Sequence, residues 1–267
     1  MAPWRIDEVD RAQRYGGMTR TGLLRLLVIG GLIGLLEILC RVGVIDNFTM
    51  PPPSRIAVDL WRIIVTGKFN AAIAKTLSNA ATAFVFAVTV GVAAGVMIHA
   101  ARPLRHALDP FFATYYAIPV LAFYPLLIIL FGLGDAPKII IAFMLGVVAV
   151  IVNTLNGLDR VPRVLLKTAR MARLSRLATA IKITLPSATP YVLTGVKFAV
   201  AYALIGIIGS EFVMSTNGIG FEIAFAYNNF DNATMYPLIL LVMIVSVSIN
   251  MMLVWWEKRL LSRRGLR

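Results

Sequence analysis

Long apolar runs alternate with short polar segments along the whole chain, and no stretch keeps the two-residue alternation of a membrane barrel. Each run approaches or exceeds the length of about 18 residues that a helix needs to cross a bilayer. The pattern predicts six spans: Leu23–Val44, Ala80–Ala100, Pro110–Leu133, Pro137–Leu155, Tyr191–Val213 and Met235–Trp256. Between the first two, Pro51, Pro52 and Pro53 precede a stretch in which Ile56, Leu60, Ile63 and Ile64 recur at helical spacing. That spacing predicts an amphipathic helix lying at the membrane interface or capping the bundle. No internal repeat or low-complexity linker divides the chain. The expectation is one integral domain, 23–257, between an N-terminal segment, 1–22, and a basic tail, 258–267. The N-terminal segment is too long and too acidic for the leader of a cleaved signal peptide, so the first run reads as a retained span.

Charge changes this picture from a count of spans to a topology. The chain carries a net charge of +13 and has a mean hydropathy of +0.81, and only 15% of its residues are charged, against about 25% in a soluble domain. The cations cluster at Arg5–Arg25, at Arg102 and Arg105, between Arg160 and Lys182, and at Lys258–Arg267. These clusters fall on one side of a six-span chain, which puts both termini in the cytoplasm. Apolar spans separate them, so they form no continuous basic groove and no nucleic-acid partner is expected.

Several chemistries lack their residues. The histidines are His99 and His106, and neither G-x-S-x-G nor H-E-x-x-H occurs, so the hydrolase motifs are missing. Cys40 is the only cysteine, which excludes an internal disulfide and cysteine-based metal sites; no metal centre is expected. Ionisable residues within the spans are few. Glu37 and Arg41 lie four apart on a helix and can pair, Lys197 can snorkel to the headgroups, and Glu211 ends the fifth span. That is little machinery for ion coupling. No G-x-x-x-x-G-K-[ST] is present, so the chain has no P-loop of its own.

The loop 160–186 is the most distinctive segment. It holds Arg160, Arg163, Lys167, Arg170, Arg173, Arg176 and Lys182 and no carboxylate. It predicts two short helices, Arg163–Leu174 and Arg176–Thr184, with Leu165, Leu166, Ala169 and Ala172 as an apolar stripe on the first. Ser175 is placed to cap the second, and Pro186 and Pro190 to separate it from the fifth span. From the residues alone, docking to a protein and contact with anionic membrane lipid are equally open.

The loop resembles the cytoplasmic signature of bacterial ABC importer permeases, E-A-A-x3-G-x9-I-x-L-P. The matching positions are Lys167, Thr168 and Ala169, then Arg173, then Ile183, Leu185 and Pro186. The spacing is intact, with Lys in place of Glu and Arg in place of Gly. MPPPS at 50–54, RPLRHALDPF at 102–111, AIPVLAFYPLLIILFGLGDAPKIII at 117–141, the run 185–212 and NGIGFEI at 217–223 extend the likeness over residues 30–262. They resemble the nitrate/sulfonate/taurine branch of that family. The resemblance implies an all-α membrane protein with six transmembrane helices and cytoplasmic coupling helices, similar to type I ABC importers of the bacterial inner membrane. It implies that Lys167, Thr168, Ala169, Arg170, Arg173, Leu174, Ser175, Ile183, Leu185 and Pro186 meet an ATPase. It also implies two cytoplasmic ATPase subunits carrying ATP and Mg2+, a second permease chain (a homodimer), and a periplasmic or lipid-anchored solute-binding protein. This chain would hold no cofactor. The solute would be a small anion of the nitrate, sulfonate, taurine or bicarbonate class, moved by alternating access.

For the path itself, spans three to five offer Tyr115, Tyr116, Pro119 and Tyr124, then Asn153 and Asn156, then Ser210 and Glu211. Each also has a packing role open to it, because tyrosines populate interfacial belts and Asn or Ser bond across helices. Gly91-x-x-x-Gly95 fits close helix packing, and Gly218 and Gly220 fit an external turn. A secondary carrier or channel working without an ATPase, and a structural subunit with no path, are the rival readings.

Overall fold

The computed structural model describes residues 6–263; the first five residues of the N-terminal segment and the last four of the basic tail lie outside it. Among the described residues every regular element is helical. α1 (Ile6–Arg41) is followed by the amphipathic α2 (Pro53–Thr66), then α3 (Asn70–Ala100) and α4 (Arg102–Thr114). Next come α5 (Tyr124–Phe131), α6 (Asp135–Asp159), and the short loop helices α7 (Arg163–Met171) and α8 (Arg176–Thr179). α9 (Leu185–Val213), α10 (Ile219–Asn228) and α11 (Asn232–Arg263) complete the chain. Among the described residues five helices are long and apolar enough to cross a membrane, and six where the pair made by α4 and α5, bent by 86°, counts as one broken span. From Leu23 onward exposed Leu, Ile and Val side chains cover α1, and the outer faces of α3 and α11 are likewise apolar, as a lipid-facing surface requires.

α6 is the centre, packed against α3 on one side and α9 on the other. Its buried side includes Ile141, Ala142, Val148, Ala149, Val150 and Leu155. In lipid, apolar side chains gain little by leaving one another's company for a neighbouring helix, so close backbone approach has to supply the association. Small residues allow it. A Cβ on Gly206 of α9 would stand 2.5 Å from the Cα of Ala142, and one on Gly91 of α3 would stand 2.6 Å from the Cβ of Val150. A Cβ on Gly95 would meet the Cβ of Thr154 at 2.8 Å. The small-residue pair expected in the second span is thus the α3–α6 contact.

Of the differences from the sequence expectation, four change the packing. α3 begins at Asn70, ten residues before Ala80, because its first turns bury Thr76 and Asn79 in a polar cluster described below. The third span is not one helix. Ile118 is extended, φ −79° and ψ 123°, ahead of Pro119, as a residue preceding proline prefers, and the chain turns there before α5. Pro186 and Pro190 do not separate the loop from the fifth span. A wide π-turn over Ala180–Thr184 runs into α9, and Pro186 stands in the first turn of α9, where no intrahelical N–H is required. Finally, the segment after the fifth span is not an external turn alone. Gly218 precedes α10, a ten-residue helix packed on α9 and α11, too short to announce itself by hydropathy.

The amphipathic helix α2 forms as expected; its Leu60 packs with Leu238 and Leu241 of α11 and Ile219 and Ile223 of α10, and Ile56 is buried as well. Glu37 does pair with Arg41, at 2.6 Å. Its carboxylate also accepts the Ser54 N–H at 3.0 Å and the Ser54 hydroxyl at 2.7 Å, so α1 supplies the anion at the N-terminus of α2.

The close approaches give a direct test. Gly206→Val should lower the stability of the detergent-solubilised protein by about 3 kcal/mol, because overpacking at backbone contact cannot relax. Gly34→Ala, with nothing within 4 Å of the added carbon, should leave the thermal midpoint unchanged or slightly higher.

Candidate functional site

The basic loop leaves α6 and returns into α9, so it joins the two most closely packed helices. Its base is clasped. Arg105 of α4 reaches both carboxylate oxygens of Asp159 at 2.7 and 2.6 Å, and His99 of α3 stands 3.3 Å from the same group. Bidentate guanidinium–carboxylate geometry is directional as well as strong. Arg160 donates to the Tyr191 hydroxyl of α9 at 3.0 Å.

Within the loop, α7 ends in a left-handed turn. The Leu174 N–H donates to the Ala169 carbonyl at 3.1 Å and the Arg173 N–H to the Arg170 carbonyl at 3.0 Å, the paired bonds of a Schellman cap. That cap needs a positive φ at the position of Arg173, which has φ 49°. The geometry explains why a glycine is favoured there in the signature, and Arg173 carries a conformational cost in this chain. Ser175 accepts the Ala178 N–H at 3.1 Å, so it caps α8 as expected. α7 packs on the Ala180–Thr184 turn, which brings the two halves of the signature together. Ala169 is buried and Leu174, Ile183 and Leu185 are partly buried. Lys167, Thr168, Arg170, Arg173, Ser175 and Pro186 are exposed. The first loop helix stops at Met171 rather than Leu174 because the cap unwinds the chain there.

At the opposite end of the bundle lies a polar staple that the sequence reading did not anticipate. Glu211 of α9 is fully buried. It accepts the Thr76 hydroxyl of α3, 3.0 and 2.8 Å from its two oxygens, and the Gly220 N–H of α10 at 3.0 Å. The Ile219 N–H donates to Thr76 Oγ1 at 2.9 Å. Beside it Lys138 of α6, 1% exposed, donates to Asn217 Oδ1 at 2.8 Å and faces Asp135 at 3.3 Å. Asp135 also holds Lys75 at 2.5 Å and Asn79 at 3.0 Å. Four helices and the loop before α10 therefore meet in one ionic cluster. Gly218 makes room for it: its φ is +103°, and a Cβ there would stand 2.1 Å from Glu211 Oε1. The signal in the sequence was a set of polar residues at the ends of apolar runs, but which ones meet depends on helix order.

The other expected path residues divide into two groups. Tyr115 donates to the Met144 carbonyl at 2.8 Å and Tyr124 to the Met214 carbonyl at 2.7 Å, and both rings are buried. Asn153 donates to the Ala149 carbonyl at 2.8 Å, while Ser210 lies buried beside Glu211. Tyr116, Pro119 and Asn156 are exposed. Tyr116 stacks on Tyr202, centroids 5.9 Å apart, and Tyr202 on Phe198 at 6.4 Å, so an aromatic ladder links the break in span three to α9. Phe198 also lines a groove of about 620 Å3 between α9 and α11, with Thr194, Lys197, Ser246 and Asn250 as its polar groups. Lys197 is bonded to Glu257 of α11 at 2.8 Å, so it pairs across helices in place of the expected snorkelling, the partner carboxylate being within reach.

Residues 87–263, spanning α3 to α11, match the family described as the binding-protein-dependent transport system inner membrane component. The chain belongs to that family. The permease is 28% identical over 228 residues to the nitrate import permease of Leptolyngbya laminosa, covering 82% of this chain and 80% of that one. It is 28% identical to the taurine transport system permease of Escherichia coli, over 74% of each. Its fold matches a chain from inward-facing conformations of the MetNI methionine ABC transporter, with a TM-score of 0.63 over 76% of this permease and 98% of that chain, at 16% identity. The expected recognition and fold class therefore stand: an inner-membrane, multi-pass permease of the ABC importer family, of type I architecture.

Two measurements follow from these geometries. Glu211→Ala strands the Thr76 hydroxyl and the Gly220 N–H in a buried site, and should cost about 3 kcal/mol, read as a lower thermal midpoint, with Glu211→Gln costing less. Arg173→Gly removes the left-handed penalty and should stabilise the cap by about 1 kcal/mol, read as slower amide exchange at Arg173 and Leu174.

Proposed function

We propose that the permease is the membrane subunit of an ATP-driven importer for a small anion of the nitrate, sulfonate, taurine or bicarbonate class. Two cytoplasmic ATPase subunits bind ATP and Mg2+, and the permease chain performs no bond chemistry. A second, identical permease chain and a periplasmic or lipid-anchored solute-binding protein complete the assembly. The loop end of the bundle, with both termini, faces the cytoplasm, in line with the charge clusters.

The observation that carries this reading is the loop's attachment. It joins α6 directly to α9, its base is fixed by Arg105–Asp159 and Arg160–Tyr191, and it enters α9 without a break. A displacement of α7 by a partner is therefore delivered to the helix that carries Phe198, Tyr202 and the α9–α11 groove. Lys167, Thr168, Ala169, Arg170, Arg173, Leu174 and Ser175, with Ile183, Leu185 and Pro186, form the ATPase contact, Ala169 from beneath it as the buried seat of α7. Tyr116, Pro119 and Asn156 offer exposed groups to the path. Tyr115, Tyr124, Asn153, Ser210 and Glu211 shape it from behind, holding the backbone around the break in span three and the staple at the outer end. Rigid-body exchange between inward-open and outward-open arrangements then moves the solute.

Co-expression with ATPase subunits encoded beside this chain tests the reading. Stoichiometric co-purification that Ala169→Asp abolishes is the expected result, because a charge at the buried contact of α7 with the following turn dismantles the docking element. Intact permease that recovers no ATPase would instead favour a carrier or channel.

A further inference from the structure

The protein leaves the charge of its own loop unanswered. Arg163, Lys167, Arg170 and Arg173 are exposed, and among the described residues none of them is within ion-pair distance of a carboxylate. Several cations elsewhere in the bundle are matched: Lys75 and Lys138 by Asp135, Arg105 by Asp159, Lys197 by Glu257. Four cations on and just after a nine-residue helix repel one another, so the arrangement is costly unless something outside the chain supplies the anions.

The outward face of α7 describes that partner. Val164, Lys167, Thr168 and Met171 share one face by helical spacing, and Val164 and Met171 are 71% and 85% exposed. Two apolar side chains thus bracket a cation, with Arg163 and Arg170 alongside. A helix that lies on lipid keeps its apolar stripe apart from its cations. Here Ala169, the buried apolar position, is turned to the protein, and the outward apolar residues alternate with charge. That is the pattern of a protein interface, apolar anchors within a charged rim. The left-handed cap holds Arg173 at the end of this face in a fixed backbone geometry.

We infer that the loop docks into a groove of its ATPase whose rim is acidic, and that Lys167 and Arg173 are among the cations this rim meets. The inference rests on the docking reading above and adds the partner's charge. Lys167→Glu reverses the central charge, and the pair Lys167→Glu with Arg173→Gly restores the signature while relaxing the turn, so a loss of binding in the double variant is not a loss of fold.

The experiment measures binding of the co-encoded ATPase subunit to permease in nanodiscs, with and without phosphatidylglycerol, as sodium chloride is raised. Binding should weaken with salt. It should fall about fivefold or more in Lys167→Glu and in the double variant, in both kinds of disc. Equal affinity of wild type and both variants overturns the inference. In that event Val164→Asp and Met171→Asp separate the two claims: loss of binding in these retains docking without the acidic rim, and no loss in any variant removes docking at this loop as well. A charge effect confined to discs containing phosphatidylglycerol assigns the cations to lipid and also overturns the inference.

Discussion

Everything in this bundle depends on backbone contact between α6 and its two neighbours. Surrounded by hydrocarbon, a helix gains little from burying another apolar face, so association rests on dispersion at short range and on polar groups that find partners inside the protein. Gly91, Gly95 and Gly206 let α3 and α9 approach α6 until a single added carbon would collide. The basic loop joins α6 and α9, the two most closely packed of these helices.

The two ends of the bundle are built differently. At the end away from the loop, Glu211, Thr76, Lys138 and Asp135, with the Gly220 N–H, tie four helices through buried charge-assisted bonds, and Gly218 and Gly220 exist in forms no larger residue could take there. At the loop end the ties Arg105–Asp159 and Arg160–Tyr191 are exposed, and much of the loop beyond them is solvent-facing. The proposed alternating access asks for such an arrangement, one end held firmly and the other free to be displaced.

Much of this was legible in the sequence, for reasons that differ by feature. The long apolar helices, the amphipathic α2, the Glu37–Arg41 pair, the α3–α6 glycines and the Ser175 cap are local, decided by hydropathy length, helical spacing or a single side chain. The break in span three falls at Pro119, a residue able to kink it, and the apolar run on both sides conceals only how sharp it is. The staple was not legible: Glu211 and Thr76 are 135 residues apart, and nothing in either neighbourhood names the other. Arg173 lies between these cases. Its spacing marked the position, and only the left-handed backbone showed what the position demands. The partner of Lys197 was not legible either, because Glu257 sits on a different helix, 60 residues away.

The account's central claim is that motion of the loop drives solute through the bundle only when ATP is spent by a partner. Solute uptake into proteoliposomes holding the co-purified permease and ATPase, with and without ATP on the ATPase side, tests it most directly, using radiolabelled nitrate, taurine and bicarbonate supplied with the cognate binding protein. The account predicts accumulation of one of these anions that requires ATP and disappears when the loop contact is broken by Ala169→Asp. Equal flux without ATP, or in vesicles that contain the permease alone, would contradict it.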